Sequence, residues 1–206
     1  IEELSRNSGL IKPKLYMVDM PVPNAFATGR NEKNSVVALS SAIINLLSDE
    51  ELRGVLAHEL SHIKNKDILI STIAATLAGT ISYIAQMVYF NGGNRDGRNN
   101  VFAVMAMAIV TPIIAGILRM AISRSREYLA DETGARMAKD SSGLSSALKK
   151  LHSYSEGNKL IGEPRHEATA HMFIVNPFKG STLLSLFSTH PPMHERVRRL
   201  ERIIIN

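Results

Sequence analysis

Short apolar runs separated by turn residues characterise the first part of the chain. Residues 14–18 and 35–39 are mostly apolar and include β-branched or aromatic side chains, which predicts two short strands. Between them, Pro21, Pro23 and Gly29 favour turns and the edges of a sheet. The pattern therefore indicates a small β-structure near the start of the chain.

A helical pattern of apolar positions begins near Ser48. Ser48 and Glu51 have the spacing of a capping box, and Asp49 and Glu50 suit the positive end of a helix dipole. Apolar residues then recur at spacings of three and four positions, at Leu52, Val55, Leu56, Leu60 and Ile63. We expect a helix that starts at Ser48 and buries one face.

Two long uncharged segments follow this helix. Residues 68–90 and 101–118 contain no charged side chain, and the polar stretch 91–100 separates them. At about 1.5 Å per residue, a helix as long as the first segment spans the ~30 Å hydrocarbon core of a bilayer. We therefore predict a two-helix membrane hairpin. The alternative is a pair of buried helices in a soluble peptidase, which alkaline carbonate would extract from membranes.

The remainder of the chain returns to a mixed polar and apolar pattern. A helix is expected to continue over residues 119–139, and a shorter one covers about 144–154. Residues 155–180 carry several glycines and prolines and predict irregular structure, whereas 193–204 predicts a last helix that begins after two prolines. The whole pattern is that of a mostly helical α+β fold.

Composition narrows the possible partners and metal sites. The chain contains no cysteine, which excludes disulfides and thiolate metal sites. Its formal net charge is +5, and a basic chain can bind nucleic acid. Lys and Arg residues that flank membrane spans explain the charge better, because the apolar segments need such flanks. We therefore expect a lipid bilayer as a partner and no nucleic acid.

The strongest chemical motif is His58-Glu59-Leu60-Ser61-His62, which lies on the predicted helix. Two histidines four residues apart lie one turn apart on one helix face, where both imidazoles can reach one zinc ion. Glu59 would stand beside the metal as the general base that takes a proton from the attacking water. The alternative is a solvated helix face with two histidines.

A catalytic zinc site needs a third protein ligand and an open position. Because the chain has no cysteine, this ligand must be His, Asp or Glu, and Glu127 is the best candidate. Asp131 follows four residues later on the same helix face and could accept the other N–H of a ligand histidine. The alternative is a surface pair with Arg124 and Arg126. One zinc ion per chain is the expected cofactor, since two His and one Glu favour zinc over other divalent metals.

The order of ligands and spans constrains the topology. Two spans separate His62 from Glu127, so the chain returns to the side of the membrane that it left. Basic residues flank the spans on that side: Lys64, Lys66, Arg119, Arg124 and Arg126. The positive-inside rule therefore predicts that the catalytic side faces the cytoplasm.

Four ordered motifs give the chain a specific resemblance. They are Pro23-Asn-Ala-Phe-Ala-Thr-Gly29, Leu56-Ala-His-Glu-Leu-Ser-His62, Ser125-Arg-Glu-Tyr-Leu-Ala-Asp131 and Leu186-Phe-Ser-Thr-His-Pro-Pro192, followed by Arg196. By these motifs and the two intervening spans, nearly the whole chain resembles the HtpX family of membrane zinc metalloproteases, within the M48 peptidases that include Ste24 and Oma1. Members of that family usually carry another hydrophobic hairpin before the protease domain, so the resemblance also implies a truncated N-terminus.

The resemblance implies a zincin-type metalloprotease fold, with a small sheet and the HExxH helix in the protease domain. It implies that the zinc ligands are His58, His62 and Glu127 and that the general base is Glu59. His190 and Arg196 are also implied to act near the site, where either could stabilise the oxyanion of peptide hydrolysis by hydrogen bonding. The alternatives are a plain loop before a helix for His190 and a solvated basic face for Arg196.

A possible substrate-binding segment lies near the start of the chain. It consists of Asn24, Ala25, Phe26 and Ala27. As an edge strand it could pair with an extended substrate through main-chain hydrogen bonds. A simple turn is the alternative.

The sequence thus predicts three segments and one activity. Residues 1–67 form the first part of the protease domain, 68–122 the membrane hairpin and 123–206 the second part. The resemblance implies endoproteolysis of misfolded or damaged membrane proteins, as quality control and stress response in the bacterial inner membrane. The rival hypotheses are a selective maturation or prenyl-peptide protease and a membrane protein with a purely structural zinc site.

Overall fold

The fold of the protein is given by a computed structural model, which describes residues 1–91, 116, 122–157 and 191–205. The chain divides into two compact units. One is formed by Ile1–Ile68 and Arg124–Asn206, and the other by Leu69–Ser123. The first unit holds the sheet and most of the described helices, and the second holds most of one long apolar helix.

Helices predominate over strands in the described residues. The strands are β1 (Lys14–Val18), β2 (Ala25–Gly29) and β3 (Ser35–Ser40), and a short 3-10 helix, Glu32–Asn34, precedes β3. The helices are α1 (Glu2–Ser8), α2 (Ser41–Leu46), α3 (Asp49–Lys64), α4 (Asp67–Asn91), α5 (122–138), α6 (Ser142–Gly157) and α7 (Met193–Leu200). This is the mostly helical α+β arrangement that the sequence predicts.

The three strands form one small mixed sheet with the order β1-β3-β2. β3 lies in the middle, parallel to β1 and antiparallel to β2. Its residues Val37 and Leu39 are buried in the core, which explains the apolar run in the sequence. β2 lies at one edge of the described sheet, so one side of its main chain pairs with β3 and the other side faces away from β3.

Helix α3 begins with the predicted capping box. The hydroxyl of Ser48 accepts a hydrogen bond from the backbone N–H of Glu51, and the Glu51 carboxylate accepts one from the backbone N–H of Ser48. The apolar side of α3 then packs into the core, where Val55 and Leu60 are fully buried. Burying side chains of this size contributes about 1.5–3 kcal/mol each. The helix that carries the histidines is therefore anchored along its length.

A close approach between α3 and α6 depends on a glycine. A Cβ atom at Gly54 would lie 2.4 Å from the backbone nitrogen of Leu144. No larger residue can occupy this position without separating the two helices. Leu144 and Leu148 of α6 are buried in the same core as α3.

Helix α4 differs in character from the rest of the described chain. Among the described residues it is the one helix long and apolar enough to cross a membrane, over Asp67–Ile84. Only 6% of that window is buried, unlike the core helix of a soluble protein, and Leu77 and Tyr83 are exposed. The predicted long apolar helix is therefore present. The second predicted span, 101–118, lies outside the described residues except at Gly116.

Several boundaries differ from those that the sequence predicts. α1 and α2 were not expected. α1 is a short helix whose Leu4 is buried in the core and which ends at Gly9, a left-handed residue with a φ of 72°. The last helix ends at Leu200 rather than near residue 204, because the following residues make tighter bonds such as that from the Arg202 N–H to the Arg199 carbonyl (3.1 Å). Most of 155–180 lies outside the described residues.

Candidate metal centre

Helix α3 places His58 and His62 one turn apart on the same face. Their Nε2 atoms are 3.2 Å apart, and their ring centroids are 4.7 Å apart at an interplanar angle of 85°. His58 is buried, whereas His62 is partly exposed. Both Nε2 atoms therefore converge on one point at the surface of α3.

Helix α5 supplies a third group at this point. The Glu127 carboxylate lies 3.7 Å from His58 Nε2 and 3.8 Å from His62 Nε2. One ligand atom from each of the three residues lies within 4.8 Å of the others. A metal ion bonded to all three at about 2 Å fits such a triangle. The three residues can therefore hold a metal ion.

The charges around this triangle also fit a cation. The carboxylates of Glu59, Asp67, Glu127 and Asp131 are buried there, and the guanidinium groups are those of Arg126 and Arg196. The formal charge of this set is two negative units. Because buried charge is costly unless it is neutralised, a divalent cation suits the site.

A glycine on α5 allows Glu127 to reach the histidines. A Cβ atom at Gly134 would lie 3.0 Å from the backbone nitrogen of His58 and 3.1 Å from its Cα. The backbones of α5 and α3 therefore touch at the first histidine. Asp131 and Glu127 lie about one and two turns before Gly134 along α5, so this contact sets their distance from α3.

His58 is oriented by a buried ion pair. Its Nδ1 lies 3.0 Å from Oδ1 of Asp131, and Asp131 receives two hydrogen bonds from Arg196, at 2.8 Å from Nε and 2.6 Å from Nη2. Burial opposes ionisation of Asp131, but the Arg196 guanidinium holds the pKa of that carboxyl below its ordinary value. Although burial disfavours its charge, Asp131 and then Glu127 raise the pKa of Arg196. The pair is thus ionised and fixed.

His62 is oriented by a second carboxylate. Its Nδ1 lies 2.6 Å from Oδ2 of Asp67, the first residue of α4. The other oxygen of Asp67 accepts a hydrogen bond from Arg126 of α5. Each histidine of the motif therefore contacts a carboxylate, and each carboxylate contacts an arginine.

Glu59 lies beside this triangle on α3. It is buried, with 5% of its surface exposed. Its negative charge contributes to the raised pKa of Arg196, after the larger contributions of Asp131 and Glu127. A carboxylate in this position is close to the residues that can hold a metal.

The remaining predicted site residues fall into three groups. Ala25, Phe26 and Ala27 lie in the edge strand β2, and Asn24 precedes it, bonded through its backbone N–H to the Ser40 hydroxyl at 2.8 Å. Arg196 is buried (1% exposed) with its guanidinium directed at Asp131 and Glu127, not on a solvated face. His190 lies outside the described residues.

The contacts of Asp67 and Arg126 were not predicted from the sequence. The sequence offers a surface pairing of Arg126 with Glu127 or Asp131, but both carboxylates are buried. The sequence contains one signal for the contact between Asp67 and His62. Asp67 is a charged residue only five positions after His62, and it begins a long apolar segment. The turn between α3 and α4 brings this residue back to the histidine.

The sequence matches peptidase family M48 over residues 1–204. The chain is 52% identical to the "Protease HtpX homolog" of Persephonella marina, over 97% of this chain and 72% of the relative. It is 51% identical to the protein of the same name from Desulfatibacillum aliphaticivorans, over 97% of this chain and 66% of the relative. These relatives confirm the family resemblance of the four motifs.

A solved structure shares the fold. The crystal structure of S. mikatae Ste24p superimposes with a TM-score of 0.64 over 97% of this chain and 48% of that protein, at 20% identity. The chain thus spans about half the length of this structural relative. On the match across 1–204 and the identity to its relatives, this chain belongs to peptidase family M48.

Proposed function

We propose that the chain is a membrane-bound zinc endopeptidase with one zinc ion per chain. The observation that carries the proposal is the convergence of ligand atoms from His58, His62 and Glu127 within 4.8 Å. Two histidines and one carboxylate are a donor set of catalytic zinc sites, which keep a further position open. Membership of a peptidase family supports hydrolysis of a peptide bond as the reaction.

The chemistry is divided between the metal and Glu59. Zinc, when bound, would polarise the peptide carbonyl and make water a usable nucleophile near neutral pH. Glu59 is the general base: it takes a proton from the attacking water and delivers it to the leaving amine. Its burial next to His58 supports this role, because a carboxylate shielded from bulk water can serve a reacting group within the site.

Arg196 and His190 have different parts in this proposal. Both ends of the Arg196 guanidinium are engaged, with Asp131 at 2.6 Å and 2.8 Å and with Glu127 at 3.4 Å. We assign it the positioning of these two carboxylates rather than direct stabilisation of the oxyanion. Asp131 in turn orients His58. His190 is then the candidate donor to the oxyanion.

Strand β2 is the proposed docking edge for the substrate. Ala25–Gly29 pairs with β3 through one side of its main chain. An extended peptide could add to its other side, with main-chain hydrogen bonds that do not depend on sequence. Such binding suits an endopeptidase that accepts many polypeptides.

The membrane attachment is proposed from α4 and the second apolar segment. Together 68–90 and 101–118 would form a hairpin inserted between the two parts of the protease domain, 1–67 and 123–206. The basic flanks support a bacterial inner membrane location with the site facing the cytoplasm. Misfolded or damaged membrane proteins would be within reach of such a site, which supports a role in quality control and stress response.

The first experiment compares wild-type protein with Glu59→Gln in detergent. Cleavage of casein is measured for the zinc-loaded proteins, and bound zinc is quantified in the same samples. We expect Glu59→Gln to keep stoichiometric zinc and to lose cleavage by at least a hundredfold, as expected for removal of a general base.

Other outcomes would change the proposal. If both proteins hold zinc and neither cleaves casein, the metal is structural or the enzyme is selective for a different substrate, such as a prenylated or maturing peptide. If Glu59→Gln cleaves as fast as the wild type, Glu59 is not the general base. If the wild-type protein binds no zinc, the proposed chemistry is wrong.

A further inference from the structure

The turn between α3 and α4 reverses the chain and brings it back toward His62. α3 ends at Lys64, and the N–H groups of Asn65 and Lys66 bond back to the carbonyls of Ser61 (2.8 Å) and Ile63 (3.1 Å). Lys66 has a φ of 56°, a left-handed conformation that costs a residue other than glycine about 1–2 kcal/mol. The reversal places the next residue, Asp67, beside the last turn of α3.

Asp67 contacts two side chains at this place. Its Oδ2 lies 2.6 Å from Nδ1 of His62, and its Oδ1 accepts a hydrogen bond from Nη2 of Arg126. The side chains are mostly buried, with 10% of Asp67, 20% of His62 and 18% of Arg126 exposed. Water therefore has limited access to this carboxylate, and its charge is balanced by the guanidinium.

Arg126 holds the turn as well as the carboxylate. Its Nη2 also donates to the backbone carbonyl of Asn65 at 2.5 Å, and the Asn65 amide lies 3.4 Å from the Thr133 hydroxyl. Arg126 and Thr133 both belong to α5, and Arg126 directly precedes Glu127. One helix therefore presents a metal-binding carboxylate and, at the adjacent position, the group that fixes the turn after α3.

We propose that Asp67, held by Arg126, is the positioning residue for His62 as a zinc ligand; this inference rests on the proposed function. An ionised carboxylate can only accept a hydrogen bond, so Nδ1 of His62 must donate. The lone pair of Nε2 then points away from Asp67, toward Glu127 and His58. Asp67 in this way fixes the tautomer and the ring orientation and increases the basicity of the ligand.

Helix α5, which carries Arg126, also carries an ordinary surface ion pair. Its contrast with the Asp67–Arg126 pair supports a role for Asp67 beyond stability of the fold. Glu132 and Arg136 of α5 also form a carboxylate–guanidinium pair, at 3.0 Å, but both side chains are more than half exposed, and neither residue belongs to the group that can hold a metal ion. The Asp67–Arg126 pair is instead shielded and contacts a histidine of the triangle. Glu132 therefore provides a matched control for the loss of one carboxylate.

The test measures zinc affinity, not only activity. The zinc dissociation constants of the wild type, Asp67→Ala and Glu132→Ala are determined by competition with a chelator, and thermal unfolding of the zinc-free proteins is measured in parallel. We expect Asp67→Ala to bind zinc about 10–100-fold more weakly and Glu132→Ala to match the wild type. Asp67→Asn, which preserves the shape of the side chain, should change affinity in the same direction by a smaller factor.

Two further measurements separate positioning from a purely structural role. In a His62→Ala background, Asp67→Ala should cause no further loss of zinc affinity, because the residue through which it acts is gone. In the cobalt-loaded proteins, the visible absorption bands should change in Asp67→Ala and stay unchanged in Glu132→Ala. A loss that persists in His62→Ala, or one seen only in the melting temperature of the zinc-free protein, would overturn the inference.

The outcomes also distinguish this inference from the proposed function. If the wild type binds zinc and cleaves casein but Asp67→Ala has the same zinc affinity, only the role of Asp67 is wrong. If the wild type binds no zinc, the proposed function and this inference are both wrong.

Discussion

His58 and His62 each contact a carboxylate that is paired with an arginine, but the two sets of side chains differ in burial. His58 contacts Asp131, which is paired with Arg196, and all three side chains are at most 4% exposed. His62 contacts Asp67, which is paired with Arg126, and these side chains are 10–20% exposed. One histidine is therefore held inside the core and the other at its margin.

The difference shows how burial changes the consequence of the same ion pair. A buried pair has lost the hydration of both charges, so removing one partner leaves a charge that nothing solvates. At the margin, water can replace a lost partner in part. The two regions also differ in the sequence distance between histidine and carboxylate: Asp67 lies five residues from His62, whereas Asp131 lies on another helix, 73 residues after His58 (131 − 58).

The largest predicted effect is the loss of Arg196. Arg196→Met in the zinc-free protein should lower the free energy of unfolding by about 3–5 kcal/mol, because Asp131 stays buried without its partner. Arg126→Met should lower it by only about 1–2 kcal/mol, because Asp67 is nearer to water. Denaturant unfolding of both variants in detergent, beside the wild type, provides the measurement. Equal losses would show that the two environments are equivalent.

A substitution at Gly134 is predicted to act on the His58 region and not on the His62 region. Gly134→Ala places a Cβ atom about 3 Å from backbone atoms of His58, and crowding of this kind costs about 1–3 kcal/mol. We expect a lower melting temperature and weaker zinc binding.

The control is Gly157→Ala on α6, where an added Cβ meets no atom of the described residues within 4 Å. This change should leave the free energy of unfolding unchanged or raise it by about 0.4–1 kcal/mol, because alanine lowers the conformational entropy of the unfolded chain. If Gly134→Ala also proves neutral, the close approach of α5 and α3 does not set the geometry of His58.

The smallest effect is expected far from the histidines, at the start of α3. Burial opposes ionisation of Glu51, but hydrogen bonds from Lys150 (2.7 Å), Ser146 (2.6 Å) and the Ser48 backbone hold the pKa of this carboxyl below its ordinary value of 4.5. A lowered carboxyl pKa stabilises the fold above the unfolded value, and this contribution is lost as the pH falls through the folded value.

Glu51→Gln should therefore be less stable than the wild type at pH 7 by about 1 kcal/mol, and the difference should shrink as the pH falls below 4.5. Denaturant midpoints of the two proteins between pH 7 and pH 3 test this. A difference that stays constant over this range would mean that ionisation of Glu51 does not contribute. Because the site residues are remote, zinc affinity at pH 7 should not change.

Much of the local structure was predictable because local interactions specify it. The strand at 14–18, the capping box of Ser48 and Glu51, and the long apolar helix from residue 67 follow from patterns within a few residues. α1 was missed because its helical pattern is only two turns long. Its stability comes from burial of Leu4 in the core, which no local pattern shows.

The candidate site was predictable in part. The spacing of His58 and His62 fixes their position on one face of α3, and the four-residue spacing of Glu127 and Asp131 places them together on one face of a second helix. The carboxylate with which each arginine pairs was not predictable. Arg126 and Arg196 are both basic residues on helices, and only packing decides that each pairs with a different carboxylate.

The sequence by itself determined which residues can bind a metal, which helix presents them and which segment is apolar enough for a membrane, because these properties depend on residue type and helical period. The tertiary structure decided what surrounds them. Gly134 sets the contact between α5 and α3, the left-handed Lys66 turns Asp67 back to His62, and the burial of Arg196 fixes Asp131. These contacts join residues on different helices, so they exist only once the helices have packed.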